Sequence, residues 1–185
     1  MRIIGGKFKG KKILQPKDKE TRPLKDLAKE SIFNIINHSN KFKIDIENSI
    51  VLDLFAGVGS FGLECLSRGA AKVTFIEQNI KAFEILRENL IHLSVLNQSI
   101  IINGDIEKFI MSSSEENYSI LFLDPPFADS EFSKNLLLIK KKKLYRNNHI
   151  IIIHRQKNSN DDLEFIKILF TKNYGRSKIV FGIFK

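Results

Sequence analysis

A single cysteine, Cys65, is the only thiol in this chain of 185 residues. No intrachain disulfide can form, which excludes a disulfide-stapled secreted fold. Long apolar runs are missing as well: none approaches the roughly 20 residues of a membrane span. The N-terminus is basic but has no apolar stretch of the signal-peptide kind. A cytoplasmic protein without a membrane partner is the expectation. The four histidines, His38, His92, His149 and His154, show no metal-ligand spacing, so no metal is expected. Prolines are scarce, four in all, and two of them are adjacent, Pro125-Pro126. Acidic residues are outnumbered, 21 against 30 Lys plus Arg, for a formal net charge of +9. A surplus of that size favours a polyanionic partner, nucleic acid foremost. The length suits one sizeable core and is short for two domains.

What is present centres on Val51–Gly62, VLDLFAGVGSFG. β-favouring residues run into a loop with Gly57, Gly59 and Gly62, and a helical register follows. The Gly57-x-Gly59-x-x-Gly62 spacing is the nucleotide-binding fingerprint. Glycine in the loop permits positive φ and a close approach of backbone to ligand. The helix start adds unpaired N–H groups and a positive dipole end. Dehydrogenases, flavoproteins and methyltransferases all share this signature, so the loop alone does not separate them.

Along the chain, residues 1–15 read as a twisted β-hairpin with a basic surface, Arg2, Lys7, Lys9, Lys11 and Lys12, around Gly5, Gly6 and Gly10. Phe8 between Lys7 and Lys9 suggests an arm that pairs with phosphates and stacks on a base; a frayed, solvated tail is the bland alternative. Thr21-Arg22-Pro23 is a phosphate or substrate contact, or only a lead-in. A helix over Lys25–His38 has Leu27, Ala28, Ser31, Ile32, Ile35 and Ile36 on one face. Strands are expected at Ser49–Leu54, Lys72–Ile76, Ser99–Ile102, Ser119–Leu123 and His149–Ile153. Helices alternate with them: one from the glycine loop to Gly69, then Ile80–Leu93, Ile106–Met111 and Ser130–Ile139. The lysines at 140–143 read as a solvated helix end. After a polar loop over Gln156–Asp162 comes a short helical segment. Two final strands, Ile166–Thr171 and Lys178–Phe184, form an antiparallel hairpin through Asn173-Tyr174-Gly175-Arg176. This is an α/β chain with a mostly parallel sheet, helices on both faces and an antiparallel edge.

Asp53 bears on the ligand. A carboxylate four positions before Gly57 would repel a pyrophosphate, whereas a cofactor with a cationic head suits it. S-adenosylmethionine, with a sulfonium and an ammonium, is such a cofactor. Glu77, 20 positions after Gly57, can accept from ribose hydroxyls. Asp105 can accept from the adenine amino group. The three acids end three successive strands, where open α/β sheets bind ligands.

Asp124-Pro125-Pro126-Phe127 follows an apolar strand. Proline fixes φ and offers a carbonyl without an N–H. The Asp124 carboxylate and the Pro125 carbonyl can act as paired acceptors for an exocyclic NH2 group, whose delocalised lone pair is a poor nucleophile. Holding that nitrogen in place leaves in-line methyl transfer needing mainly orientation. Phe127 can stack on a flipped base. A rigid turn with a core phenylalanine is the plainer reading. Cys65, inside the helix after the loop, reads as a buried structural thiol.

These two motifs together resemble the amino-methyltransferases that use S-adenosylmethionine. Arg2-Ile3-Ile4-Gly5-Gly6, Arg22-Pro23, Asp26 and Lys29-Glu30-Ser31-Ile32-Phe33-Asn34 narrow the resemblance to the RsmD family, over nearly the whole chain through Tyr174-Gly175. The resemblance implies a Rossmann-like class I methyltransferase fold with a seven-stranded, mostly parallel sheet. It implies residues 1–40 as an RNA-binding hairpin and lead-in helix, and 41–185 as the methyltransferase domain, in one compact unit. The implied activity is transfer of a methyl group to the N2 of a guanine in 16S ribosomal RNA within the assembled small subunit; a monomer is the default expectation. Carried over by position, Asp53, Phe55, Ala56, Gly57, Gly59, Glu77, Asp105 and Ile106 would bind cofactor. Asp124, Pro125, Pro126 and Phe127 would be catalytic, and Arg2, Gly5, Gly6, Lys7, Lys9, Lys11, Lys12 and Arg22 would bind RNA. The chain departs from the family pattern at Leu27, where the family usually has Arg or Lys, and at His154, where many relatives have Glu. Competing readings are a DNA adenine-N6 methyltransferase, a non-catalytic RNA-binding assembly factor and, weakest, a nicotinamide oxidoreductase.

Overall fold

The computed structural model describes residues 1–16, 26–113 and 117–185. Arg22 and its neighbours Thr21 and Pro23 lie outside the described residues.

Seven strands form one sheet in the order β3-β2-β1-β4-β5-β7-β6. They are β1 (Ile50–Leu54), β2 (Lys72–Glu77), β3 (Ser99–Asn103), β4 (Tyr118–Leu123), β5 (Tyr145–Gln156), β6 (Ile166–Tyr174) and β7 (Ser177–Phe184). The first five pair in parallel, and β7 runs antiparallel between β5 and β6. Because the chain winds outward from β1 to β3 and then returns to lay β4 beside β1, the order reverses between β1 and β4. Ligands of open α/β sheets bind at such a reversal, outside the carboxyl ends of the strands.

Helices α1 (Asp26–His38), α2 (Ser60–Ser67), α3 (Ile80–His92), α4 (Ile106–Ser112) and α5 (Phe132–Lys142) cover the sheet. Side chains alternate across each strand, so two cores form. Val51, Phe122, Ile150, Ile152 and Phe181 pack with Ile32 and Phe33 of α1, Leu63 of α2 and Leu86 of α3. On the other face, Leu52, Leu121, Ile151 and Ile153 pack with Ile110 of α4 and Leu136 of α5. All six residues of β4 are buried, as expected of a parallel strand covered on both sides. Among the described residues, no helix is long and apolar enough to cross a membrane.

Several expectations are corrected. The N-terminal hairpin is reduced to one antiparallel bridge, Arg2 with Lys12, closed by a 3₁₀ turn at Gly6–Phe8. The chain leaves the pleat there because Gly5 and Gly6 dock on the end of α2: a Cβ on Gly6 would sit 1.9 Å from the Ser67 carbonyl oxygen, and one on Gly5 would meet the Arg68 guanidinium. On α1, Leu27 is 71% exposed, and the buried seam runs through Ala28, Lys29, Ile32, Phe33 and Ile36. Lys29 turns inward because its ammonium donates to the Arg2 carbonyl at 2.7 Å and lies 3.7 Å from Glu64 Oε2. β5 extends well beyond His149–Ile153, since β7 pairs with it out to Gln156. Its polar start, Arg146–Asn148, has no strand-like pattern. The short helix expected after Asp162 is a turn. Arg155 anchors Asp161 and β6 begins at Ile166, which leaves too few residues to nucleate a helix.

Candidate functional site

At the carboxyl end of β1 the chain makes a sharp turn. Phe55 takes φ of +60°, a left-handed conformation uncommon outside glycine. Gly57 and Gly59 follow at +56° and +86°, and Gly59 caps α2. A Cβ on Gly57 would meet nothing within 4 Å, so the loop faces open space there. Gly62 serves packing instead: a Cβ on it would lie 2.2 Å from the Phe75 ring.

Asp53 is 1% exposed. Its Oδ2 accepts from the Gly62 amide at 2.9 Å, while the buried Oδ1 has no partner among the described residues. Burial pushes the Asp53 carboxyl well above its ordinary range. The Gly62 N–H opposes that rise, and the nearby charges of Asp124 and Glu77 add to it. A buried carboxylate oxygen without a donor costs free energy unless something fills the need, and a cation is the natural complement.

Glu77 ends β2 on the same face. Its Oε2 accepts from the Gly57 amide at 2.7 Å and its Oε1 from the Asn79 amide at 2.7 Å. The first visible task of this carboxylate is to pin the glycine loop, and each oxygen keeps a further lone pair for a ligand. Ala56 is tied to β2 through the Ile76 carbonyl at 3.0 Å. Asp105 is exposed and caps α4, accepting from the Lys108 amide at 3.0 Å, with Ile106 half-buried beside it.

Asp124 follows β4 directly. The register pairs Asp53 with Phe122 and Phe122 with Ile152, so Asp53, Asp124 and His154 fall on one face of three adjacent strands. Asp124 Oδ1 lies 2.8 Å from His154 Nδ1. Pro125 is buried, Pro126 exposed and Phe127 half-exposed, its ring edge-on to His154 at 6.0 Å. The fold thus brings Asp53, Glu77, Asp124 and the glycine loop together at the sheet reversal.

Sequence reasoning missed two residues here. His154 entered only as a departure from a family pattern, yet it bonds Asp124. Arg155, 3% exposed, donates from Nη1 to the Pro126 carbonyl at 2.9 Å and from Nη2 to the Asp129 carbonyl at 3.0 Å. The one available signal was a charged pair closing an otherwise apolar strand, Ile150–Ile153.

The expected RNA-binding residues divide. Arg2, Lys7, Lys9, Lys11 and Lys12 are exposed on the arm. Gly5 and Gly6 pack on α2, with Ser67 Oγ donating to the Gly5 carbonyl at 2.6 Å. The Phe8 ring lies against the core, with the Lys7 and Lys11 ammoniums 4.8 and 5.1 Å from its centre. Cys65 is buried, as expected of a structural thiol, and burial raises its pKa well above the ordinary value.

The sequence pattern of the family described as Conserved hypothetical protein 95 matches residues 1–183. Ribosomal RNA small subunit methyltransferase D of Buchnera aphidicola subsp. Baizongia pistaciae is 34% identical over 138 residues, covering 75% of this chain and 67% of the relative. The solved structure of the Escherichia coli yhhF protein is 26% identical and superposes with a TM-score of 0.83 over 98% of this chain and 96% of that one. The RNA methyltransferase from Salinibacter ruber in complex with S-adenosyl-L-homocysteine, 14% identical, shares the fold at a TM-score of 0.63 over 86% of this chain and 92% of the other. On these grounds the architecture is the Rossmann-like methyltransferase fold, and the chain belongs to the Conserved hypothetical protein 95 family, that of ribosomal RNA small subunit methyltransferase D.

Proposed function

We propose that this protein transfers a methyl group from S-adenosylmethionine to the exocyclic N2 of a guanine in 16S ribosomal RNA, acting as a monomer on the assembled small subunit. The observation that carries the reading is the pair of acids across the β1–β4 reversal. Asp53 keeps a buried oxygen without a donor among the described residues, and Asp124 stands beside the Pro125 carbonyl at the next strand end. One site suits a cation and the other suits an amine with two N–H groups.

When bound, S-adenosylmethionine supplies a methyl carbon on a sulfonium and departs as a neutral thioether. Asp53 Oδ1 would receive its cationic end, Glu77 its ribose hydroxyls and Asp105 its adenine amino group, with Gly57 and Gly59 giving the backbone room. The chain's own part in the reaction is to hold the nucleophile. Asp124 Oδ2 accepts one N–H of the guanine amine and the Pro125 carbonyl the other, and Phe127 stacks on the extruded base. With both hydrogens directed at acceptors, the nitrogen lone pair is aimed at the methyl carbon. Orientation of this kind supplies much of the rate enhancement. The nitrogen gains a bond to carbon and a positive charge, and then sheds one proton to the Asp124 carboxylate and on to solvent. The surplus of nine positive charges and the exposed lysines of the arm favour an RNA partner.

The test is transfer of a tritiated methyl group onto unmodified small subunits, naked 16S RNA and DNA side by side, followed by nucleoside analysis. Label in N2-methylguanosine from the subunit sample is the expected result. Label in N6-methyladenine from DNA would replace this reading with the DNA enzyme, and no label in any sample would favour a non-catalytic factor.

A further inference from the structure

Two consecutive residues of β5 grip the turn after β4. Consecutive strand residues face opposite sides of a sheet. His154 lies on the side of Ile150 and Ile152, and Arg155 on the side of Ile151 and Ile153. Because a carboxylate only accepts, His154 Nδ1 carries the proton and donates it to Asp124 Oδ1 at 2.8 Å. From the other side, Arg155 donates to the Pro126 carbonyl at 2.9 Å and to the Phe127 and Asp129 carbonyls at 3.3 and 3.0 Å. Its Nε donates to Asp161 Oδ1 at 3.0 Å, and its guanidinium stacks 4.6 Å from the Phe132 ring centre. A planar fork that is buried, paired and stacked fixes the plane of every carbonyl it touches.

What the two side chains leave alone matters as much. His154 occupies Oδ1 of Asp124 and leaves Oδ2 without a bond among the described residues. Arg155 takes the carbonyls of Pro126, Phe127 and Asp129, and the Pro125 carbonyl receives no hydrogen bond among the described residues. Asp124 Oδ2 and the Pro125 carbonyl are thereby left for a ligand.

The geometry points to His154 and Arg155 as positioning residues that choose which two acceptors of the Asp124–Phe127 turn face the amine. This rests on the amine-methylation reading above. Neither residue touches the reacting atoms: His154 sets the rotation of the Asp124 carboxylate, and Arg155 sets the path of the backbone behind it.

The variants His154→Asn, His154→Gln and His154→Ala separate the donor from the bulk of the ring. Asparagine keeps an N–H where Nδ1 stands, glutamine moves it outward, and alanine removes it. On small subunits, H154A and H154Q are expected to lower kcat by about 100-fold with KM for the subunit little changed, because a misplacement of about 1 Å costs that much. H154N recovers at least about ten-fold of the loss in H154A, within that same range. Arg155→Lys retains the charge without the fork and is expected to lose kcat as H154A does. S-adenosylhomocysteine affinity, measured by calorimetry, stays within a few-fold of wild type throughout, which shows that each variant folds. A long-range nitrogen–proton spectrum of the free protein reports the His154 Nδ1 proton, and Asp124→Ala shifts it. Wild-type kcat in H154A, or a loss in H154N equal to that in H154A, would overturn the assignment. Wild-type protein that labels no guanine amine overturns the underlying reading and this assignment with it, and that failure is seen before any variant is assayed.

Discussion

Asp53 and Gly62 are joined by a 2.9 Å hydrogen bond that uses one carboxylate oxygen and strands the other inside the protein. The bond ties the end of β1 to the first turn of α2 and so sets the shape of the glycine loop between them. Burial raises the Asp53 carboxyl well above its ordinary value of 3.8. Between 3.8 and that raised value the folded state binds more protons than the unfolded one, so stability falls as pH rises through the window. Asp53→Asn keeps an acceptor for Gly62 and removes the titration. It should melt higher than wild type at neutral pH, with the difference shrinking toward pH 4. S-adenosylhomocysteine should bind about ten-fold or more weakly, the scale of a lost charged hydrogen bond. Melting curves across pH, paired with calorimetry, check both; a variant that melts lower at neutral pH while binding normally would refute the argument.

Asp124→Ala removes the carboxylate proposed to hold the amine. Methyl transfer should fall to background while S-adenosylhomocysteine affinity stays within a few-fold of wild type. Single-turnover assays with saturating methyl donor measure the first and calorimetry the second. Retained transfer would sink the mechanism.

Lys29, Glu64 and Arg68 form a charge cluster that anchors the arm. Glu64 Oε2 accepts from the Ile4 amide at 2.8 Å and its Oε1 from Arg68 Nε at 2.9 Å, while Lys29 is fully buried 3.7 Å away. Burial lowers the Lys29 pKa, against the pull of Glu64. Glu64→Gln removes the nearer carboxylate of a buried ammonium and leaves it only Asp26, 3.9 Å away at the surface; breaking a buried pair costs up to about 3–5 kcal/mol. Urea denaturation should show that loss, and the Ile4 amide should exchange faster. An unchanged midpoint would mean that the cluster contributes little.

Lys7, Lys9, Lys11 and Lys12 are all exposed. If they meet RNA phosphates, replacing all four with glutamine releases fewer counterions on binding. The slope of log K against log salt should become shallower by about 3. Filter binding at several salt concentrations gives the slope; an unaltered slope would remove the arm from the interface.

His149 bridges two strands in its neutral form. Nδ1 donates to the Arg146 carbonyl at 2.8 Å, and Nε2 accepts from the Phe184 amide at 3.0 Å. Burial lowers its pKa below the ordinary 6.5. Below 6.5 the unfolded chain binds the proton that the folded chain refuses, so this contribution to stability is lost as pH falls. Between pH 7 and pH 5 the wild type should lose melting temperature relative to His149→Gln. Parallel curves for the two proteins would contradict the assignment.

Much of this molecule was legible from local chemistry. The run Val51–Leu54 could only be a buried strand, and the glycines after it, with φ of +56° and +86° at Gly57 and Gly59, announce a turn that other residues resist. Alternation of apolar runs with helical periods points to a mostly parallel sheet, because each segment states its own period, whereas the placing of β4 beside β1 came from the structure. Tyr145–Asn148 was not legible: it is mostly polar, and β4 pairs with only Tyr145 of it before the register shifts to Ile150.

The residue types of the site and their spacing came from the sequence: an acid before a glycine loop, an acid one strand later, and Asp-Pro-Pro-Phe after an apolar strand. Which partners those groups keep was decided by the tertiary structure alone. Glu77 pins Gly57, His154 holds one oxygen of Asp124, Arg155 collects the carbonyls beyond Pro125, and Lys29 turns inward to Glu64. Each of these contacts joins segments more than 15 residues apart in the chain. A local pattern can demand a carboxylate or an arginine, but it cannot say which distant backbone will be there to meet it.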